Sequence, residues 1–193
     1  MDKHINLLSS IIKKAQEKSG PGKNTSSIKL WFGIPQISQS VCVRAGNWIE
    51  DFFNKEIELL EQSNLAELQI IKGGKRGVFA EGEERQVDIF GRSTTQLLTT
   101  LEMKTNTSLD REKIDAICEH GPVKKTALEQ LFNETVQSYV FDPFSLEDCD
   151  HPKVGRIIGY QTFSHWFPIG LTYDEFWSLG KHPLVQQYAF MYE

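Results

Sequence analysis

Asp88, Glu102 and Lys104 are the residues whose types and spacing most readily do chemistry. In residues 86–90, two-residue alternation turns Val87 and Ile89 to one face of a strand and Asp88 to the other. In residues 97–105, Leu97, Thr99, Leu101 and Met103 share one face, and Thr100, Glu102 and Lys104 the opposite one. If the two strands pair, both carboxylates and the lysine converge on one side of a sheet. Two carboxylates there form a hard oxygen site suited to Mg2+, with the Met103 backbone carbonyl within reach. A lysine beside them can orient a water and stabilise negative charge developing on a phosphate. The tripeptide Glu102-Met103-Lys104 arises readily by chance; its weight comes from lying on an apolar strand downstream of an acid alone on its own strand. The competing reading is two solvated carboxylates and a lysine on the wet face of a sheet.

The elements that must position these residues follow from periodicity. Residues 2–18 place Ile5, Leu8, Ile12 and Ala15 on one helical face, and residues 19–27 are a polar, turn-rich arm. Residues 47–62 are helical, with Ile49, Phe52, Phe53, Ile57 and Leu60 in one arc. Asn47 is a candidate N-cap there, with Glu50 three residues later in a capping-box spacing. Around the glycine-rich loop 72–77, Leu68, Ile70 and Ile71 on one side and residues 78–80 on the other form a hairpin. A turn at 81–84 precedes the strands at 86–90 and 97–105, which residues 91–95 join. Residues 110–137 are mostly helical, broken at Gly121-Pro122. The last 55 residues hold 13 of the 21 aromatics and show no clear period. The expected fold is a single α/β (α+β mixed) domain with a central mixed sheet flanked by helices. Within it, residues 1–27 form an N-terminal helix and arm, 44–120 a core, and 138–193 an aromatic-rich region.

With the helix upstream included, the pattern Asp88…Glu102-Met103-Lys104 resembles the PD-(D/E)xK nuclease superfamily. Many members also carry a glutamate on a helix before the sheet in a Gly-x-x-x-Glu setting, and Gly46-Asn-Trp-Ile-Glu50 stands there in this chain. Val87 takes the place of the motif's proline. The resemblance covers residues 44–120 and implies a metal-dependent phosphodiesterase. Asp88 and Glu102 would be Mg2+ ligands (Mn2+ substituting), with Glu50 an additional ligand, and Lys104 would orient the water. Glu56, nearer the centre of the apolar arc, rivals Glu50 as the helix acid, and Glu50 is favoured for its Gly-x-x-x-Glu setting. Length and the C-terminal extension point to a small type II restriction endonuclease, cutting double-stranded DNA by in-line attack on phosphorus to leave 5′-phosphates. Such an enzyme would be a homodimer on a palindromic site, with a cognate DNA methyltransferase encoded nearby. Alternatives are a Holliday-junction resolvase-like or RNA-directed nuclease, and a non-catalytic nucleic-acid or protein-binding module.

Charge and composition bear on the partner. The 193 residues carry 26 acids and 21 bases, a net charge of -5, which argues against a protein that coats nucleic acid through bulk positive charge. The average hides an asymmetry: residues 1–113 hold 16 bases and 15 acids, and residues 114–193 hold 5 and 11. Lys72, Lys75 and Arg76 in the hairpin loop suit non-specific phosphate contacts, as do Lys13, Lys14, Lys18, Lys23 and Lys29 near the N-terminus. Arg85 and Arg92 flank the strand that carries Asp88 and are candidate direct DNA contacts, with Asn106 just past Lys104. Trp166, Phe167, Phe176 and Trp177 are candidates for base stacking or, more simply, for a core, and His165 and His182 for base contacts or general bases. Cys42, Cys118 and Cys149 include no CxxC pair, and no segment reads as a membrane span or signal peptide. The expectation is a cytoplasmic protein with no membrane partner.

Overall fold

The computed structural model describes residues 1–15, 26–34, 37–60, 69–70, 76–104 and 111–190. The chain divides into two compact units, Met1–Lys55 with Gly170–Glu193, and Glu56–Ile169.

The first unit is helical. It contains α1 (Asp2–Ala15), α2 (Ser26–Phe32), most of α3 (Gln39–Leu59), α6 (Tyr173–Lys181) and α7 (Pro183–Ala189). The expected stripe of α1 is its buried one: Ile5, Leu8 and Ile12 are covered, and α1 packs along α7. Ser26 and Ser27, expected in the polar arm, instead open α2, because Ile28, Trp31 and Phe32 behind them bury an apolar face. Trp31 stacks on Phe176 with ring centroids 5.7 Å apart, and its indole N–H donates to the Phe176 carbonyl at 2.8 Å. Thr172 starts α6 with a capping box in which Thr172 and Glu175 satisfy each other's backbone N–H groups.

Helix α3 begins eight residues before the expected start. Val41, Cys42 and Ala45 are fully buried and extend the apolar arc toward the N-terminus, so Asn47 is a mid-helix residue and caps nothing. Glu50 therefore does not close a capping box.

The second unit carries two sheets. In the first, β1 (Gln69–Ile70), β2 (Arg76–Ala80) and β3 (Glu83–Val87) run antiparallel in that order. The β2–β3 turn is shorter than the expected 81–84. Only Glu81 and Gly82 lie in it, both at positive φ (52° and 80°), the mirror-image geometry that matches strand twist. The second sheet has five strands in the order β4 (Ile89–Arg92), β5 (Leu98–Met103), β6 (Val136–Phe141), β8 (Gly155–Ile158) and β7 (Cys149–His151). β4 is antiparallel to β5, β6 is parallel to both β5 and β8, and β7 is antiparallel to β8, so the sheet is mixed.

Two expectations about these strands need correction. Residues 86–90 are not one strand: the chain leaves the first sheet at Val87 and enters the second at Ile89, with Asp88 at the crossing. Gly91 and Arg92, expected in the connection, belong to β4 and pair with Thr99 and Leu98. A Cβ on Gly91 would strike Ile57, so glycine is what lets this strand lie close under the end of α3.

Helix α4 (Arg111–Phe132) runs unbroken through Gly121 and Pro122, where a break was expected, and gives way to β6 at Val136. Pro122 is exposed, so the hydrogen bond it removes leaves no buried group orphaned. The helix packs on β2, β5 and β6. Leu128, with Ala127 and Phe132, closes over Val78, Val87, Phe90, Leu98 and Val136, and Phe132 stacks on Phe90 at 5.2 Å. On the other face, α5 (Tyr160–Trp166) stacks Phe163 on Phe141 at 4.5 Å. The aromatic-rich segment that shows no period in sequence is thus partly core: Phe167 and Phe176 are fully buried.

Candidate functional site

The β4–β5 register builds the site. Ile89 opposes Leu101, so the next step along the ladder sets Asp88 opposite Glu102. At that step the β4 ladder stops, and Met103 N–H, which a continuing strand would take into the ladder, donates instead to Asp88 Oδ2 at 3.0 Å. The break between β3 and β4 therefore orients Asp88 as well as setting where β4 starts. The Gln86 amide reaches Asp88 Oδ1 at 3.4 Å. Glu102 and Lys104 share the face toward α4 as their spacing predicts, with Lys104 Nζ 2.8 Å from Glu102 Oε1 and 3.9 Å from Asp88 Oδ2. The Lys104 backbone N–H donates to the Phe141 carbonyl, which fixes this segment at the carboxyl ends of the parallel strands β5 and β6, where open sheets of this kind hold ligands.

A fourth side chain, Lys124, joins them from outside the strand motif. On α4, His120, Lys124, Leu128 and Phe132 recur at four-residue spacing and form one face. Leu128 and Phe132 dock on the core, and the same face carries Lys124 to 2.5 Å from Glu102 Oε2. One turn earlier, His120 Nδ1 lies 3.3 Å from Arg85 Nη1. The signal was present in the sequence as a stripe that turns from polar to apolar.

The electrostatics separate the two acids. Burial, and then the like charge of Glu102, push Asp88 up to about 6, against the pull of Lys104, Lys124 and the Met103 N–H. Burial alone would raise Glu102 too, but the ammonium groups of Lys104 and Lys124 outweigh it and hold Glu102 below the usual carboxylate range. One acid is thus held ionised between two lysines, while its neighbour takes up a proton readily.

The remaining candidates fall in different places. Glu50 is buried on α3 in the first unit, and Glu56, also buried, lies in the second. Arg85 reaches both His120 and, at 3.2 Å, Glu83. Arg92 forms a two-pronged pair with Glu134 at 2.9 and 3.2 Å, and Arg76 pairs with Glu58. Lys72, Lys75 and Asn106 lie outside the described residues. His182 caps α7 by accepting from Leu184 N–H at 3.3 Å.

The donor set of Asp88 and Glu102 fits a hard dication of the Mg2+ type, which needs only one or two carboxylates when water and substrate oxygens complete its shell. Among the described residues, no group of three or more His, Cys, Asp or Glu side chains gathers as a protein-only cage. No helix among the described residues is long and apolar enough to cross a membrane. What fold and site define together is a mixed α/β protein whose five-stranded sheet, flanked by helices, presents an acid pair and two lysines. No family model, curated protein or solved structure matches this chain.

Proposed function

We propose that this chain is a magnesium-dependent endonuclease of the PD-(D/E)xK kind, which hydrolyses phosphodiester bonds in double-stranded DNA and leaves 5′-phosphates. The observation that carries the reading is Asp88 set opposite Glu102 with the Lys104 ammonium 2.8 and 3.9 Å from the two carboxylates. A bound Mg2+ would lower the barrier by polarising a phosphoryl oxygen and drawing off developing charge. Asp88 and Glu102 are the residues that would hold it, with the Met103 carbonyl as a further candidate. Lys104 would orient the attacking water and take part in stabilising the transition state. A type II restriction activity, a homodimer with one site per DNA strand and a cognate methyltransferase complete the proposal.

A second reading draws on the lysines that engage both Glu102 oxygens: a structural ion cluster within a non-catalytic nucleic-acid-binding module. Against it, a half-buried cluster of four charges is a weak source of stability, since desolvation offsets most of the attraction. Magnesium separates the readings. Supercoiled plasmid is incubated with Mg2+ and the wild-type or Lys104→Ala protein. The nuclease reading expects cleavage by wild type and loss of about 100-fold or more in the variant. Equal activity in both proteins overturns the assignment of this site, and activity in neither favours the binding module. Matched RNA and DNA duplexes then report the substrate class.

A further inference from the structure

We infer that Lys124 is a phosphate-contacting residue, the side chain of α4 that meets a non-bridging oxygen of the phosphodiester being cleaved. The inference rests on the nuclease reading above and adds to it a group from outside the strand motif.

Three observations lead there. Lys124 Nζ donates to Glu102 Oε2 and Lys104 Nζ to Oε1, so each oxygen of the carboxylate meets an ammonium group, 2.5 and 2.8 Å away. The Lys124 side chain is only 14% exposed, so its charge is worth more here than on an open surface. Its helix is held without it: Leu128 and Phe132 dock α4 on the core, and Glu129 ties the helix to β6 by accepting from both Lys125 and the Val136 N–H. A lysine that is not needed to seat its helix, yet faces the acid pair, is placed for a ligand.

Charge arithmetic identifies the ligand class. Two ionised carboxylates and two ammonium groups sum to zero. With a dication on the carboxylates the sum becomes +2, which favours an anion with charge to spread, as a phosphodiester under attack has. Glu102 would then give its oxygens to the cation and release Lys124. The flexible four-carbon stem lets the ammonium shift to a phosphate oxygen without moving the helix. Lys104 remains beside Asp88 for the water. One turn along the same face, the Arg85–His120 pair continues the cationic track, so the strand being cut is expected to run along α4.

The test uses the full chain as wild type, Lys124→Met, Lys124→Gln and Lys124→Arg. Plasmid cleavage with Mg2+ is measured in parallel with calorimetric titration of Mg2+ alone. The Met and Gln variants are expected to lose roughly 100-fold in kcat/KM, with Arg restoring most of it. The same two variants should bind Mg2+ more tightly, on the order of 10-fold, because a positive charge beside the carboxylates is gone. A lysine that only braced Glu102 would shift Mg2+ binding the same way, so the loss of cleavage and its recovery with Arg decide the role. Wild-type cleavage by the Gln variant overturns the inference and leaves the nuclease reading intact, as does weaker Mg2+ binding in both neutral variants. A wild-type protein that neither cleaves nor binds Mg2+ overturns both.

Discussion

Replacing Asp88 by asparagine should make the protein more stable at neutral pH and inactive. Asp88 is buried beside Glu102, and its carboxyl is pushed from an ordinary 3.8 up to about 6. A raised carboxyl stabilises the fold fully below the unfolded value, and that stabilisation is lost as pH rises through the folded value. Across this window the loss is about 3 kcal/mol. Asparagine imitates the protonated acid: its amide oxygen still accepts from Met103 N–H, and it carries no charge. Urea unfolding of wild type and Asp88→Asn in EDTA, from pH 4 to pH 8, measures the effect. The two should be nearly equal at pH 4. They should diverge between pH 4 and 6, with the variant ahead by up to about 3 kcal/mol at pH 8, or roughly 6–12 °C in melting temperature for a chain of this size. The same variant should not cleave plasmid, as expected where a site is strained for function. A difference that stays flat across pH, or a variant less stable at pH 8, would refute the electrostatic account of this site.

Other perturbations test the scaffold. Asp142 is also buried and pushed up to about 6, mainly by burial, against N–H donation from Phe144 and Ser145. Asp142→Asn should therefore gain stability from pH 6 upward and little at pH 4, as read by the same titration. Gly91→Ala places a methyl against the Ile57 Cγ2 and should cost about 1–3 kcal/mol; Ile57→Leu in the same chain, which lacks that branch methyl, should recover part of the loss in urea unfolding. Thr172→Ala removes the side-chain cap of α6 and should cost about 1 kcal/mol, with no change in Mg2+ titration.

The parts of this molecule legible in sequence are those set by local period. The stripe of α1, the strand bearing Glu102 and Lys104, and the shared face of those two residues follow from spacing alone. Alternation marks Asp88 as an acid facing away from Val87 and Ile89. It does not mark the crossing between two sheets, because alternation continues through residues 86–90 while the pairing partner changes. The start of α3 was missed because Asn47 and Glu50 imitate a cap, and only burial of Val41, Cys42 and Ala45 shows the helix continuing past them. Lys124 was hidden for a different reason. A lysine on a helix reads as solvated until the docking of Leu128 and Phe132 sets which way the face turns. Gly121 and Pro122 added to this, because they suggest a break where the helix runs on.

The central claim is that Asp88, Glu102 and Lys104 form a metal-dependent phosphodiesterase site. Its most direct test is the appearance of 5′-phosphate ends on plasmid DNA incubated with the purified chain, in Mg2+ and in EDTA, with Glu102→Gln alongside. The account predicts cleavage by wild type in Mg2+ alone, ends that accept ligation without prior phosphorylation, and no cleavage by the variant. Cleavage that persists in EDTA, or that is undiminished in Glu102→Gln, would contradict it.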